Sequence, residues 1–118
     1  IWRAREHRPG RWVAENAGPA LNTAGQEYEP LPSPDGKRMI VEGDGGYYES
    51  VRTRTGWAPR VKLGPEINAD KAESEIGALF SPSGRSLMFA RNAGPGRSGE
   101  LFVWRRGGPE AWPPRCPR

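Results

Sequence analysis

The chain has 118 residues, a net charge of +4, 16 Gly, 13 Pro, five Trp, three Tyr and three Phe, with a mean hydropathy of −0.80. That length holds one domain with a modest core, and no run approaches the roughly 20 apolar residues that a membrane-spanning helix needs. The single cysteine, Cys116, excludes an internal disulfide and leaves the redox compartment open.

The chain opens at Ile1 without a Met and with no signal-peptide pattern, so a processed chain or a piece of something longer is expected. The first predicted element is a strand over 1–5, followed by an outer strand over 11–14 that carries Trp12. A Gly-Pro motif, Gly18-Pro19-Ala20-Leu21-Asn22, leads into a strand over 27–33. Ser33-Pro34-Asp35-Gly36 suits a type I turn: Ser at the first position, Pro fixing φ at the second, Gly closing it. Apolar residues from Met39 to Val41 give a strand over 37–42, and Gly43-Asp44-Gly45-Gly46 breaks it as a hairpin loop does. Further strands are predicted over 47–53 and 57–62, the latter beginning at Trp57.

The same order then returns. Gly64-Pro65-Glu66-Ile67-Asn68 repeats the Gly-Pro motif 46 residues on, and the stretch from Leu31 to Met39 recurs 48 residues on, from Leu79 to Leu87. Asn68 to Glu75 lacks an apolar stripe and reads as a loop. Strands follow over 75–81, across the turn Ser81-Pro82-Ser83-Gly84 to Leu87–Ala90, past Gly94-Pro95-Gly96 to 99–105, and at 111–113 around Trp112. Ile1 to Arg5 aligns over Tyr48 to Arg52 and over Leu101 to Arg105. Landmarks recurring in one order every 45 to 55 residues match the length of a four-stranded propeller blade. The expected fold is therefore all-β, a partial β-propeller: outer strands of one blade in 1–14, a full blade in 15–62, and another in 63–118 with a basic tail. Pro34, Gly36, Pro82 and Gly84 shape its turns, and Trp12, Trp57 and Trp112 cap the core between blades.

The pattern Trp57-x-Pro59, Leu63-Gly64-Pro65-x-Ile67-Asn68, Glu75, Phe80 to Phe89 and Gly99 to Arg105 resembles the TolB-like class of bacterial β-propeller repeats. Departures are Glu49 where Trp2 and Phe102 are aromatic, and Ser83 in place of the turn Asp. The resemblance covers nearly the whole chain. It implies a protein-binding platform, a peptidase accessory domain or an envelope protein, and a periplasmic or extracytoplasmic location.

Candidates for chemistry are few. His7 is the only imidazole and is expected in an Arg-rich hairpin loop with no acid or nucleophile at a motif spacing, which excludes a serine triad. Cys116 lies among Pro and Arg, with nothing to lower its pKa. The pairs Glu27 and Glu29, and Glu73 and Glu75, are spaced as on a strand and read as hydrogen-bonding residues of the loops between blades, not as a glycosidase pair. Glu42 to Gly46 and Gly94 to Gly99 lack the Lys-Ser/Thr ending of a phosphate loop and the oxygens of a calcium loop. No catalytic residue, metal or cofactor is expected.

Charge points to partners. Arg3, Arg5, Arg8 and Arg11 stand against Glu6 at one end, and Arg105, Arg106, Arg115 and Arg118 against Glu110 at the other, while the middle is slightly acidic. Arg3, Arg5, Arg105 and Arg106 are the candidate contact residues, on third strands of successive blades. A two-blade arc leaves an apolar face open at each end. The expected function is non-catalytic protein–protein contact, with a protein partner or other copies of the chain. The alternatives are a carbohydrate-binding ring formed by oligomerisation, in which the tryptophans stack on sugars, and the accessory propeller of a hydrolase. An anionic membrane surface fits the arginines as well; nucleic acid is disfavoured by the acidic middle.

Overall fold

The computed structural model describes residues 1–69, 75–91 and 99–115, and among them every regular element is a β-strand. Strands β1 (Trp2–Arg8) and β2 (Arg11–Asn16) form a hairpin. Strands β3 (Tyr28–Pro32), β4 (Arg38–Gly43), β5 (Gly46–Val51) and β6 (Val61–Lys62) form a four-stranded antiparallel meander. Strands β7 (Glu75–Phe80), β8 (Ser86–Arg91) and β9 (Glu100–Arg105) form a three-stranded one. The three sheets do not close on one another.

The two turns fold alike. Gly36 N–H donates to Ser33 O and Gly84 N–H to Ser81 O, each at 2.8 Å, and both glycines take the left-handed φ (68° and 71°) that a side chain resists. The hydroxyl of Ser33 bonds the Asp35 carboxylate at 2.6 Å, which in turn accepts the Lys37 N–H. In the second turn Ser83 replaces Asp35, and a carboxylate comes from elsewhere: Ser83 and Ser86 hydroxyls both donate to Glu110.

Upstream of each turn the first strand is interrupted at the same place. The register shifts between Tyr28 and Leu31 and between Ile76 and Leu79, with Glu29 (φ 46°) and Gly77 (φ 67°) at matched positions. Glu29 holds a conformation that favours glycine. Its carboxylate accepts the Tyr47 hydroxyl at 2.9 Å and the Gly77 N–H at 2.8 Å, which joins the two sheets.

The Gly-Pro motifs end in a clamp. Asn68 Oδ1 accepts the Tyr47 N–H at 2.7 Å, and its Nδ2 donates to Tyr47 O at 2.9 Å and to Leu63 O at 2.8 Å. Asn22 repeats the pattern on Ile1, accepting from its amine and donating to its carbonyl at 2.9 Å. These clamps correct the alignment of the third strands. Ile1 matches Tyr47 and not Tyr48, and Leu101 matches Ile1 and Tyr47, because Tyr47 faces Glu42 as Leu101 faces Ala90. Trp2, Tyr48 and Phe102 are then equivalent, and the apparent departure at Glu49 disappears. A one-residue slip exchanges the two faces of a strand, so the correction decides which side chains meet.

The fourth strands also differ from expectation. Trp12 lies opposite Glu6 in β2, and Trp57 lies opposite Arg52, the match of Glu6, but as an isolated bridge. Pro59 has no N–H to give the ladder, so regular pairing resumes only at Val61. The segment 111–113 forms no strand. Pro113 stands where Ala58 donates to Val51 O at 2.9 Å, and that bond has no counterpart. His7 lies within β1, not in a loop.

The core lies between the second and third sheets: Ile40, Tyr47 and Ile67 against Phe80, Leu87 and Phe89, with Phe102 and Trp104 packed at its margin. Cross-strand partners share a face, so the opposite face of β7–β9 carries Leu79, Met88 and Val103 in one row and Ile76, Ala90 and Leu101 in the next. On β3–β5 the matching rows, including Ile40 and Tyr47, are the ones that enter the core.

Candidate interaction surfaces

The four candidate arginines are brought together only in pairs, and each has an internal partner. Arg3 and Arg5 both bind the Glu15 carboxylate across the hairpin, Arg5 Nε at 2.8 Å. Hydrogen bonds from Arg3, then from Arg5, lower the Glu15 pKa to about 2. Arg105 Nη2 donates to Trp112 O at 3.0 Å. Arg106 reaches across to the second sheet, 2.9 Å from Glu49, and lies over the Trp104 ring. Glu49 also holds Arg38 at 3.2 Å, and Arg38 donates to Gly84 O and sits over Phe80. Arg38, Glu49 and Arg106 thus form a polar seam between the second and third sheets, beside the apolar core.

Sequence reasoning passed over two other arginines. Arg60 pairs with Glu27 at 3.2 Å and lies 4.5 Å from the Tyr48 ring centroid. Arg52 lies 4.9 Å from the ring centroid of Trp57, and among the described residues its guanidinium has no hydrogen-bond or ion-pair partner. The available signal was the Arg-bearing strand that runs a few residues ahead of each fourth-strand Trp, since Trp57 and Arg52 face one another across the turn.

The tryptophans divide. Trp57 and Trp112 are half-buried, but Trp12 is 65% exposed and Trp2 66%. Trp12 therefore caps no core among the described residues. A shallow hollow is lined by Pro19, Ala20, Tyr48, Trp57 and Pro59. Arg52 lies over one face of its Trp57 ring and Arg60 over one face of Tyr48.

The carboxylates serve the fold. Glu27 takes Thr23 and Arg60; Glu75, almost wholly buried, takes Arg91 at 3.2 Å. Burial raises the Glu42 pKa, and the charges of Glu29 and Glu75 raise it further. Burial, then the bond to Glu29, also raises that of Tyr47. Glu73, Cys116 and most of Gly94 to Gly99 lie outside the described residues. Among the described residues no group of three or more His, Cys, Asp or Glu could hold a metal ion, and no helix is long and apolar enough to cross a membrane.

Comparison with family models, with curated proteins and with solved structures finds no match to this chain.

Proposed function

We propose that the chain is an arc of a β-propeller of the TolB-like kind and acts as a non-catalytic platform for protein–protein contact within a larger assembly. The observation that carries this reading is the outer face of β7–β9. Tyr47 is fully buried in the second sheet, while its match in the third, Leu101, is 72% exposed, with Ile76 and Leu79 about half exposed beside it. The same face that is sealed by a neighbouring sheet at one repeat is open at the next.

The polar links that accompany the sealed face also vanish on the open one. Arg38, Glu49 and Glu29 are matched by Ser86, Val103 and Gly77. An apolar face of ~400 Å² corresponds to ~10 kcal/mol at about 25 cal/mol per Å², comparable to the whole stability of a small domain. An open apolar face beside a sealed equivalent supports a contact role.

Sedimentation tests the reading. The chain should run as an assembly at micromolar concentration, and Leu101→Asp should dissociate it while Arg8→Asp, far from this face, should not. A folded monomer of the unmodified chain, melting cooperatively, refutes the proposal.

A further inference from the structure

A small pocket lies where the first hairpin meets the second sheet. Its volume is 160 Å³, and Arg3, Glu15, Asn16, Arg52, Gly56 and Trp57 line it with two neighbours. Several polar groups in the wall are already engaged. One Glu15 oxygen takes Arg3 and the other takes Arg5. Asn16 Oδ1 accepts from Gly18 N–H and Asn22 Nδ2, both at 2.8 Å. Gly56 N–H donates to Thr53 Oγ1 at 3.0 Å. Arg52 is the charged exception: an exposed cation over the Trp57 ring, with its donors uncommitted among the described residues.

The charge of the wall is one carboxylate against two guanidiniums, so the pocket lacks one negative charge. Glu15 cannot supply it, because both of its oxygens are taken. The planar guanidinium fork matches a planar anionic group. The indole beneath Arg52 restrains it, so less side-chain freedom is lost on binding. Size narrows the choice further. The volume falls below the ~300 Å³ at which pockets for whole small molecules begin. It is of a size for one side chain.

From these features we propose that the pocket is a binding site for a single carboxylate side chain, Asp or Glu, presented by an acidic peptide segment of a partner protein. Arg52 grips the carboxylate, Trp57 holds Arg52 in place, and Arg3 adds field from the far wall. The pocket is built from one chain alone, so it stands whether or not β7–β9 is a contact face.

The test is an NMR titration of the 118-residue chain, following the Trp57 indole and Arg52 Nε resonances. The ligands are acetyl-Gly-Glu-Gly-amide, the same peptide with Gln, and inorganic phosphate. The Glu peptide should give saturable shifts at both resonances and the Gln peptide none. Arg52→Gln should weaken the response roughly tenfold or more, as expected for a lost charge-assisted pair, and Arg52→Lys, which keeps the charge without the fork, should fall between. Added salt should weaken binding. An unchanged Trp104 indole resonance shows that each variant is folded. Equal shifts with the Gln peptide, or an Arg52→Gln chain that binds like the parent, overturn the proposal. Phosphate bound tenfold more tightly than the Glu peptide overturns the carboxylate assignment.

Discussion

Replacing Asn68 with Ala removes three hydrogen bonds and no apolar contact of consequence. Tyr47 N–H loses its acceptor, and Leu63 O and Tyr47 O lose a donor. Tyr47 O keeps the Leu63 N–H at 3.0 Å, so two backbone groups are left without a partner, one of them on a fully buried residue. At roughly 0.5–1.5 kcal/mol for each bond, the loss should come to about 2–4 kcal/mol. That is a large share of the roughly 5–15 kcal/mol that holds a domain. Asn22→Ala removes the matching clamp from Ile1 in a hairpin whose residues are almost all exposed, where water replaces the lost partners, and should cost ~1 kcal/mol or less. Urea unfolding at constant m-value reads both, and Asn68→Ala should move the midpoint down by ~1 M or more. Equal midpoints for the two variants would show that the clamp does not hold the sheet and that burial of Tyr47 alone suffices.

The hairpin carries its own pH dependence. The Glu15 pKa is depressed in the folded state, so its contribution is present above the ordinary carboxylate range and is lost as pH falls from about 4.5 toward about 2. Carboxyl NMR should place the Glu15 midpoint near 2, and Arg3→Gln with Arg5→Gln should return it to the usual range; an unshifted midpoint in the parent chain would remove the pairing. At the second turn, Ser83→Asp should restore the internal acceptor that Asp35 supplies to Ser33, and the new charge should expel Glu110. Limited proteolysis should then cut within 106–115 faster than in the parent, at little cost in melting temperature.

Much of the strand order was legible from punctuation. Ser-Pro-x-Gly turns at Ser33 and Ser81 fixed where first and second strands meet, because Pro and Gly allow so few backbone shapes there. The β4–β5 hairpin followed from its glycines. The third-strand register was not legible: Tyr47 and Tyr48 are both aromatic, and only the asparagine clamp distinguishes them. The fourth strands misled for another reason. Pattern reading credits Trp57 and Trp112 with strand propensity, whereas the prolines that follow them remove the N–H groups on which pairing depends. The arginines were visible as charge but not as partners. Glu15, which takes both Arg3 and Arg5, lies across a hairpin at a distance that no local motif encodes, and the Arg ahead of Trp57 was legible as a recurring landmark but not as a group without an internal partner.

The asparagine clamps bear on how such a chain can be lengthened or shortened by recombination. Each Gly-Pro-x-x-Asn loop belongs physically to the sheet before it, since Asn68 fastens a residue at the start of β5, but its Ile67 fills the core shared with the sheet after it. A crossover in the strand-to-loop stretch between Lys62 and Asn68 would leave one product with an unfastened third strand and the other with an orphaned fastener. A crossover after Asn22 or Asn68 separates the chain with every clamp intact, at the cost of parting Ile67 from half of its packing. Gene duplication within this chain is therefore least disruptive when its breakpoints fall just past an asparagine, in register with the fastening and not with the strands.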